Sequence, residues 1–358
     1  MSKVAIISDT HWGVRGDSVA FLDMTKRFVD DVFFPVLDRE GITTILHLGD
    51  LVDKRKQISY LTARRLREDF LDKIAKRSNC NAVLIAGNHD TYFKNTNSVN
   101  ALTELVEDNY PNINVHIDPT EIEIDGVKIL LLPWICDDNR EQSFELLNKT
   151  RAQICMGHLE IQGFEMYRGS INTHGEQREL FQKFDLTLSG HFHHKSSDSG
   201  ITYVGSHGEF TWSDYDDPRG FHVIDLKTRE LTFHKNPHTM FQKVWYNDTD
   251  KTLDQVLNVD GKQVSGRYLK LIVQKKNNPY WFDMFCEKLD KAGPIGMQIV
   301  EDHLNLNLED DESIISEAES TLDVFKKHIG QIQAPNLNRP KLEKLITELY
   351  NQALTVET

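Results

Sequence analysis

Short apolar runs recur through the first half of the chain, and each is followed by a turn rich in glycine, aspartate, asparagine or histidine. Continuous β-branched and leucine-rich runs of this length are typical of strands covered on both faces, although a buried helical segment has the same pattern. We predict strands at residues 4–7, 42–48, 82–86, 127–132, 154–156 and 186–188. Residues 19–37 and 61–74 carry apolar positions at helical spacing. Strands that alternate with helices predict a layered α/β core.

The pattern changes after residue 200. Short runs at 203–204, 221–224 and 231–233 are separated by Gly, Pro and Asp turns, and we expect antiparallel strands that complete a second sheet. The patterns of a strand, a helix and a strand then follow at residues 267–274, 280–290 and 296–300. We therefore predict three parts: a large domain at residues 1–240, a small α/β cap at 241–304, and a C-terminal segment at 305–358.

The C-terminal segment has an acidic beginning and an apolar stripe near its end. Residues 301–325 contain nine acidic residues and no Lys or Arg, which is typical of a solvated or flexible linker. After Pro340, apolar residues follow helical spacing at Leu342, Leu345, Ile346, Leu349 and Ala353. This helical stripe either packs against the rest of the chain or binds a partner, and the sequence does not distinguish the two.

Composition excludes several classes of protein. The chain has 358 residues, of which 39% are hydrophobic and 27% charged, so it can bury a substantial core. No apolar run approaches the ~18 residues of a membrane span, and the N-terminus enters a strand pattern instead of a signal peptide, so we expect a cytoplasmic protein without membrane contact. The four cysteines form no CxxC pair, which argues against a thiolate zinc site or a disulfide framework.

The net charge constrains the substrate. The formal charge is −14, from 55 acidic and 41 basic residues, so the field of the whole molecule repels polyanions. A phosphate-bearing substrate would therefore need local positive charge, from metal ions or from a basic patch.

Five polar clusters follow the predicted strands. Open α/β sheets place their ligand sites at the carboxyl ends of strands, so we expect these clusters to converge in space. Each cluster alone is a weak indication, because Asp-x-His and Gly-His pairs also occur as turn features. Together they predict a metal site, and they are residues 9–11 (DTH), 49–53 (GDLVD), 87–90 (GNHD), 157–158 (GH) and 190–193 (GHFH).

The residue types in these clusters indicate which ions could bind. Imidazoles, carboxylates and an amide oxygen without a thiolate favour borderline-hard divalent ions. Seven ligands exceed one site, and two ions that share one carboxylate would use all of them. The two carboxylates would leave two divalent ions with net positive charge, which suits anionic phosphate esters. The seven residues are Asp9, His11, Asp50, Asn88, His158, His191 and His193.

The order D-x-H, GDxxD, GNHD, GH and GHxH across residues 9–193 resembles the calcineurin-like metallophosphoesterase superfamily. The resemblance implies a two-sheet β-sandwich flanked by helices. It also implies that one ion is bound by Asp9, His11 and His193, the other by Asn88, His158 and His191, and that Asp50 bridges them.

Two further residues receive catalytic roles from the same resemblance. His89 would contact the scissile phosphate as a general acid or as a stabiliser of the transition state. Asp53 would orient or charge His89, and its alternative interpretation is the N-cap of the helix that follows. The remaining histidines are expected to be structural, although His207 lies in a segment expected at the rim of the site; they include His47, His116, His174, His194 and His207.

Within the superfamily the chain is similar to the SbcD-type DNA double-strand-break nucleases, including their bacteriophage members. The similarity covers about residues 1–230 and depends on SDTHWG, LHLGDLVDKRK, GNHD and the segment 203–221 (YVGSHGEFTWSDYDDPRGF). It implies a metal-dependent DNA exonuclease and endonuclease, active in break processing and recombination, in which a hydroxide activated by two ions attacks the phosphodiester. Mn²⁺ would be preferred, with Mg²⁺, Fe²⁺ or Zn²⁺ possible.

The resemblance also implies partners. DNA would be held with the help of the cap, and the C-terminal helices would bind the coiled coil of an SbcC-type ATPase. A homodimer is implied, with the helices within residues 19–37 and 61–105 as possible surfaces. A phage-encoded chain would act in the cytoplasm of its host.

A basic segment follows the second motif. Residues 54–67 contain six basic and no acidic side chains, and such groups position a duplex through its phosphates. The alternative interpretation is a solubilising helix face. The predicted DNA contacts are Lys54, Arg55, Lys56, Arg64 and Arg65, with Arg67, Arg168, Lys195 and Arg219 as weaker candidates.

Two other functions stay open at this point. A protein or nucleotide phosphatase, or a phosphodiesterase, of the same superfamily would use the same metal ligands. A non-catalytic scaffold would be expected to have lost a ligand or His89, and none is missing.

Overall fold

The computed structural model of the chain describes residues 3–301. Its strands are β1 (Lys3–Ile7), β2 (Thr44–His47), β3 (Asn81–Ile85), β4 (Ile113–His116), β5 (Thr120–Ile124), β6 (Val127–Leu132), β7 (Ile154–His158), β8 (Glu165–Tyr167), β9 (Ser170–Ile171), β10 (Leu186–Gly190), β11 (Ser196–Asp198), β12 (Ile201–Tyr203), β13 (Gly220–Asp225), β14 (Leu231–Lys235), β15 (Phe241–Asn247), β16 (Tyr268–Lys275) and β17 (Gly296–Glu301).

The α-helices in the same residues are α1 (Val14–Asp17), α2 (Val19–Phe28), α3 (Phe34–Glu40), α4 (Tyr60–Leu66), α5 (Asp72–Ala75), α6 (Arg140–Lys149), α7 (Leu253–Val256) and α8 (Pro279–Lys291). Single π-helical segments at Val29–Phe33 and Arg67–Leu71 continue α2 into α3 and α4 into α5, so both predicted helices are continuous. None of the helices in residues 3–301 combines the length and the apolar character that a membrane span requires.

The first sheet has the strand order β14-β13-β1-β2-β3-β4. Strands β1 to β4 run parallel, and β13 and β14 continue the sheet antiparallel from β1. In β1, Ala5 and Ile7 pack with the apolar side of the helices, whereas Val4 and Ile6 pack with the second sheet. The continuous apolar run of β1 is thus buried on both faces, as the sequence predicts.

The second sheet has the order β11-β12-β10-β7-β6-β5 and packs face to face on the first. Its four central strands are parallel, and β5 and β11 pair antiparallel at the two edges. Leu131, Met156 and Leu188 meet Leu46 and Ile85 between the two sheets. The predicted fold class, a two-sheet α/β sandwich flanked by helices, is confirmed.

One prediction about the second sheet is wrong. The strands after residue 200 were expected to complete it as antiparallel strands, but of these only β12 joins it, and β12 lies parallel to β10. Strands β13 and β14 complete the first sheet instead, where Ile224 pairs with Val4. The alternation of apolar residues specifies the faces of a strand that are buried, but it does not specify the sheet edge that the strand joins.

A small parallel sheet of three strands, β15-β16-β17, carries helix α8. It has its own apolar core, in which Tyr246 and Leu271 pack against Phe285 of α8. Asn278 caps α8 by accepting a hydrogen bond from the Trp281 N–H. The predicted strand, helix and strand after residue 266 are confirmed, whereas β15 was not predicted. The boundary at residue 240 stays a prediction, and the segment 305–358, with its acidic stretch and helices, lies outside the described residues.

Candidate metal centre

The five polar clusters converge at the carboxyl ends of β1, β2, β3, β7 and β10, where the two sheets meet. Three groups of possible ligand atoms form there, each with all its atoms within 4.8 Å of one another. The groups are Asp9, His11 and His193; Asp50, His158 and His191; and His11, Asp50 and His89. Asp9 and His193, which are 184 positions apart in the sequence, are therefore neighbours in this site.

The loops after β1 and β2 are joined by main-chain hydrogen bonds beyond the ends of the strands. The Asp9 N–H donates to Gly49 O at 3.0 Å, and the His11 N–H donates to Asp50 O at 3.1 Å. This pairing fixes three of the predicted ligands relative to one another. Four predicted ligands also adopt left-handed backbone angles, which cost energy in non-glycine residues and concentrate at functional sites; they are Asp9, His11, Asp50 and His191.

The first group contains Asp9, His11 and His193. The Asp9 carboxylate is fully buried and accepts the His191 N–H, while its Oδ1 lies 4.0 Å from Nε2 of both His11 and His193. The two Nε2 atoms are 3.0 Å apart. Burial, followed by the His11 charge, lowers the pKa of His193 well below its usual value. His193 is therefore neutral near pH 7 and can offer a lone pair to a cation.

The second group contains Asn88, His158 and His191. Oδ1 of Asn88 lies 3.0 Å from Nε2 of His158 and 3.0 Å from Nδ1 of His191. The Nδ1–H of His158 donates to the Leu48 carbonyl at 2.7 Å, which turns Nε2 into the site. Burial, followed by the charge of His158, lowers the pKa of His191 to about 3. A carbonyl oxygen and two imidazoles thus point at one another.

Asp50 lies between the two groups. Its Oδ1 accepts the His89 N–H at 2.8 Å, which leaves Oδ2 at 3.6 Å from Nε2 of His11 and 3.3 Å from Nε2 of His158. Burial favours the neutral acid, but the charges of His158 and His89 outweigh it and hold the pKa of Asp50 well below its usual value. One carboxylate therefore faces both histidine groups.

The electrostatics of the site fit a cation. Burial opposes the charge on His158, but Asp50 and then Asp9 outweigh it and raise its pKa to about 9. The buried carboxylates therefore create a requirement for positive charge, which a divalent ion at Nε2 would meet in place of the proton. The donor set of imidazoles, carboxylates and an amide oxygen is one that borderline-hard ions accept.

Two glycines of the motifs allow this close approach. A Cβ atom on Gly87 would lie 2.2 Å from Oδ1 of Asp50, and a Cβ on Gly49 would lie 2.4 Å from Nδ1 of His158. Real Cβ atoms essentially never lie within 3.0 Å of such neighbours. Glycine at positions 49 and 87 is thus a steric requirement of the centre.

The comparisons with known proteins agree with this geometry. The family model of calcineurin-like phosphoesterases matches residues 2–195, a span that contains all five motifs. The chain belongs to this family. Its members hydrolyse phosphoesters and bind divalent metal ions, so the predicted enzyme class and the prediction of divalent metal binding are confirmed for this phosphoesterase.

Relatives of this phosphoesterase include components of nucleases. It is 29% identical to exonuclease subunit 1 of Enterobacteria phage T4, over 98% of this chain and 99% of the relative. It is 24% identical to the SbcD component of the nuclease SbcCD of Staphylococcus saprophyticus, over 64% of this chain and 67% of the relative. Among solved structures, the purple acid phosphatase PPD1 from yellow lupin aligns with 14% identity and a TM-score of 0.39, over 65% of this chain and 53% of that chain.

In the phosphoesterase, His89 and Asp53 are in contact, but not through the Asp53 side chain. The Nδ1–H of His89 donates to the main-chain carbonyl of Asp53 at 2.5 Å, whereas the Asp53 carboxylate lies 3.5 Å from Nδ1 of His11. The helix that follows is capped by Ser59, which accepts the Thr62 N–H, so the alternative interpretation of Asp53 as that N-cap is wrong. The orientation of His89 thus comes from a carbonyl group that no sequence pattern reveals.

Asp90 supports the same loops from behind. Its carboxylate accepts the Gly87 N–H at 2.9 Å and the Val52 N–H at 3.1 Å, and so ties the GNHD turn to the loop after β2. Burial, followed by repulsion from Asp50, raises its pKa to about 6.

Aromatic residues that the sequence pattern does not single out line the site of the phosphoesterase. The Trp134 ring centroid lies 5.2 Å from that of His191, and the Phe210 centroid lies 5.6 Å from those of both His11 and His193. Trp134 follows the end of β6, so the same strand-end reasoning could have found it. Nothing in the sequence pattern distinguishes Phe210.

His207 is fully buried beneath the rim. Its Nε2 lies 3.0 Å from Oγ1 of Thr25, and its ring packs against Phe28 and Phe210. Burial lowers its pKa to about 3. These contacts agree with the structural interpretation given to most of the remaining histidines.

The basic segment is partly neutralised inside the phosphoesterase. Nζ of Lys54 lies 2.9 Å from Asp17, and Arg64 pairs with Glu68 at 2.9 Å. Arg65 pairs with both Asp23 and Asp69 and is only 18% exposed. Residues 54–67 include no acidic residue, but acidic side chains from other parts of the chain lie next to them in space.

The prediction of Arg219 as a weaker candidate for a DNA contact is wrong, because this residue is not at the surface. Its guanidinium is buried and pairs with Asp214 at 2.7 Å and Asp217 at 2.8 Å. A buried charge with two carboxylate partners has a structural role, because removal of either side would leave an uncompensated charge in the core.

Proposed function

We propose that the protein is a metal-dependent DNA nuclease that acts in double-strand-break processing and recombination. The observation that carries this proposal is the similarity to a phage exonuclease subunit over nearly the full length of both chains. The converged imidazoles and carboxylates give that similarity a chemical basis, since they match a site for phosphoester hydrolysis.

The proposed cofactor is a pair of divalent ions, with Mn²⁺ preferred. Asp9, His11 and His193 would hold one ion, and Asp50 would be shared between both. When bound, two such ions clamp phosphoryl oxygens, lower the pKa of a water molecule and offset charge on the leaving oxygen. The second ion would be held by the other predicted ligands, Asn88, His158 and His191.

The protein's own contribution to bond cleavage would come from His89. Its Nδ1–H is held by the Asp53 carbonyl, and 12% of its side chain is exposed, so a substrate can reach the ring. Nε2 is then the atom that can contact the scissile phosphate and donate a proton to the leaving oxygen. Asp50 Oδ2 lies 4.0 Å from this nitrogen.

The proposed partners are DNA, a coiled-coil ATPase of the SbcC type, and a second copy of the chain. The names of the phage and staphylococcal relatives describe subunits of nucleases, which supports assembly with another protein. The helices predicted to bind the ATPase lie outside the described residues. The helical surfaces proposed for a homodimer include α2 and α4.

A nuclease assay on linear and hairpin duplex DNA with Mn²⁺ tests the proposed function. We expect DNA cleavage that requires the metal, changes when an SbcC-type ATPase is added, and far exceeds the hydrolysis of p-nitrophenyl phosphate. Efficient turnover of that monoester with intact DNA would contradict the proposal and favour a phosphatase of the same family.

Replacement of Lys54, Arg55 and Lys56 by alanine should reduce the salt dependence of DNA binding. Each phosphate contact contributes about −0.9 to the slope of log K against log salt concentration. Because Lys54 is already paired with Asp17, we expect the slope to become shallower by about 2, as for two lost contacts. Fluorescence anisotropy at several salt concentrations measures this slope.

A control variant removes three positive charges elsewhere. Lys128, Lys149 and Lys227 are exposed and lie outside the basic segment, so their replacement by alanine should leave the slope unchanged. Equal slopes for both triple variants would support the solubilising interpretation of residues 54–56.

A further inference from the structure

Two exposed aromatic residues follow directly after the GNHD motif. Tyr92 and Phe93 are 39% and 47% exposed, and their ring centroids are 4.7 Å apart in an edge-to-face arrangement. We call this pair the aromatic tip. An exposed pair of large aromatic rings in contact leaves apolar surface in water, and aromatic rings with a polar handle are enriched at binding surfaces.

The loop that carries the aromatic tip is firmly anchored. The Tyr92 N–H donates to Val99 O at 2.8 Å, and the Ala101 N–H donates to Asp90 O at 2.7 Å. The buried side chain of Asn97 donates to the carbonyl groups of Ile117 and Trp134 at 3.0 and 2.9 Å. The exposure of the two rings is therefore built into a fixed loop, as a preorganised binding group requires.

Positive charge surrounds the aromatic tip. Nζ of Lys56 lies 5.6 Å from the centre of the Tyr92 ring, and Nη1 of Arg55 lies 3.5 Å from Oγ1 of Thr91. Lys94, next to Phe93, is exposed. Aromatic rings interleaved with cations are the combination that binds single-stranded nucleic acid, because the rings stack on bases while the cations contact phosphates.

The tip is close to the candidate metal centre. Tyr92 is three residues after His89, so their Cα atoms are at most ~11 Å apart. Nucleotides of one strand are about 3.4 Å apart along a duplex and further apart when they are unstacked, so this distance corresponds to at most about three nucleotides. Thr91 also donates to the main-chain carbonyl of Asn88 at 3.1 Å, which links the tip to a predicted ligand.

We propose that Tyr92 and Phe93 stack on unpaired bases at the end of a DNA strand, within about three nucleotides of the bond that is cleaved. The inference rests on the proposed nuclease function and adds a substrate feature to it. Bases within an intact duplex already stack on one another, so the aromatic tip discriminates in favour of unpaired ends.

Binding of DNA with unpaired ends to the Y92A/F93A variant tests the proposal. Stacking of one base on an aromatic side chain is worth ~1–3 kcal/mol, or about 5- to 150-fold in affinity. We expect a loss in this range for a single-stranded oligonucleotide and for a forked duplex, and a much smaller loss for a fully paired blunt duplex. Anisotropy without added metal measures affinity, and 2-aminopurine at the unpaired end reports stacking through its quenching.

Two further variants distinguish the contribution of ring stacking to DNA affinity from the contribution of apolar volume. Y92F/F93Y keeps both π faces and should retain affinity and quenching. Y92L/F93L keeps apolar volume without a π face and should lose both. If the leucine variant binds the single strand as tightly as the wild type, stacking is not the interaction and the proposal is wrong.

Hydrolysis of bis(p-nitrophenyl) phosphate with Mn²⁺ separates this proposal from the proposed function. We expect the Y92A/F93A variant to hydrolyse this small diester at the wild-type rate, because neither residue belongs to the metal cluster. Unchanged single-strand binding by a folded Y92A/F93A variant would overturn the stacking proposal while the nuclease assignment stands. A wild-type protein that hydrolyses the diester but neither binds nor cleaves DNA would instead overturn both.

Discussion

Replacement of His89 by alanine is expected to abolish DNA hydrolysis while the protein keeps its full metal content. His89 is proposed to protonate the leaving oxygen, and a positioned general acid contributes ~10²- to 10⁴-fold to the rate. The competing interpretation is that His89 is a ligand, since it lies within 4.8 Å of His11 and Asp50. Metal analysis after gel filtration, together with the cleavage rate, distinguishes the two.

The choice of substrate sharpens the test on His89. p-Nitrophenolate leaves without needing a proton, so loss of a general acid should slow bis(p-nitrophenyl) phosphate hydrolysis much less than DNA cleavage. H174A is the matched control, because His174 is exposed and lies outside all three ligand groups. Equal losses on both substrates, or loss of one ion, would remove His89 from the role of acid.

Replacement of Asp50 by asparagine is expected to weaken both metal sites at once. Its Oδ2 lies between His11 and His158, one from each group, and asparagine keeps the size but removes the charge. Loss of a residue that only supports a ligand costs ~10- to 100-fold in metal affinity, so loss of a shared ligand should exceed about 100-fold. Calorimetric titration with Mn²⁺ gives the number of sites and their affinities.

The D9N variant provides the comparison for Asp50. It removes one charge from the same pocket, but Asp9 belongs to the first group alone, so one ion should be lost and one kept. Wild-type protein should also gain thermal stability on addition of Mn²⁺, a gain that D50N should largely lose. Two tightly bound ions in D50N would show that the carboxylate is not shared.

Much of the fold could be predicted because burial on both faces leaves a clear pattern. The runs at 4–7, 127–132 and 186–188 are β-strands because they lie between two apolar layers. Strand β5 was missed, since TEIEI alternates and exposes its glutamates. The Asp125-Gly126 pair at its end, with φ of 50° and 79°, forms a hairpin turn whose sequence signal was available.

The convergence of the site could be predicted from the position of polar residues after parallel strands. Interactions that depend on other parts of the chain could not. Arg65 is neutralised by Asp23 from α2, a residue 42 positions earlier. The contact between His89 and Asp53 uses the main-chain carbonyl, a group that every residue has, so the residue type at position 53 does not predict it.

The two motif glycines have a consequence for the transfer of this centre to other proteins. Because a methyl group at Gly49 or Gly87 would overlap with His158 or Asp50, the ligands can assemble only where two backbones approach without side chains between them. Transfer of the seven ligands to an unrelated scaffold would fail unless the close approach of the two backbone segments at the glycines were transferred as well. In sequence searches, the presence of glycine before the ligand, as at Gly49 and Gly87, should therefore distinguish real metal centres from chance matches better than the Asp or Asn ligand alone.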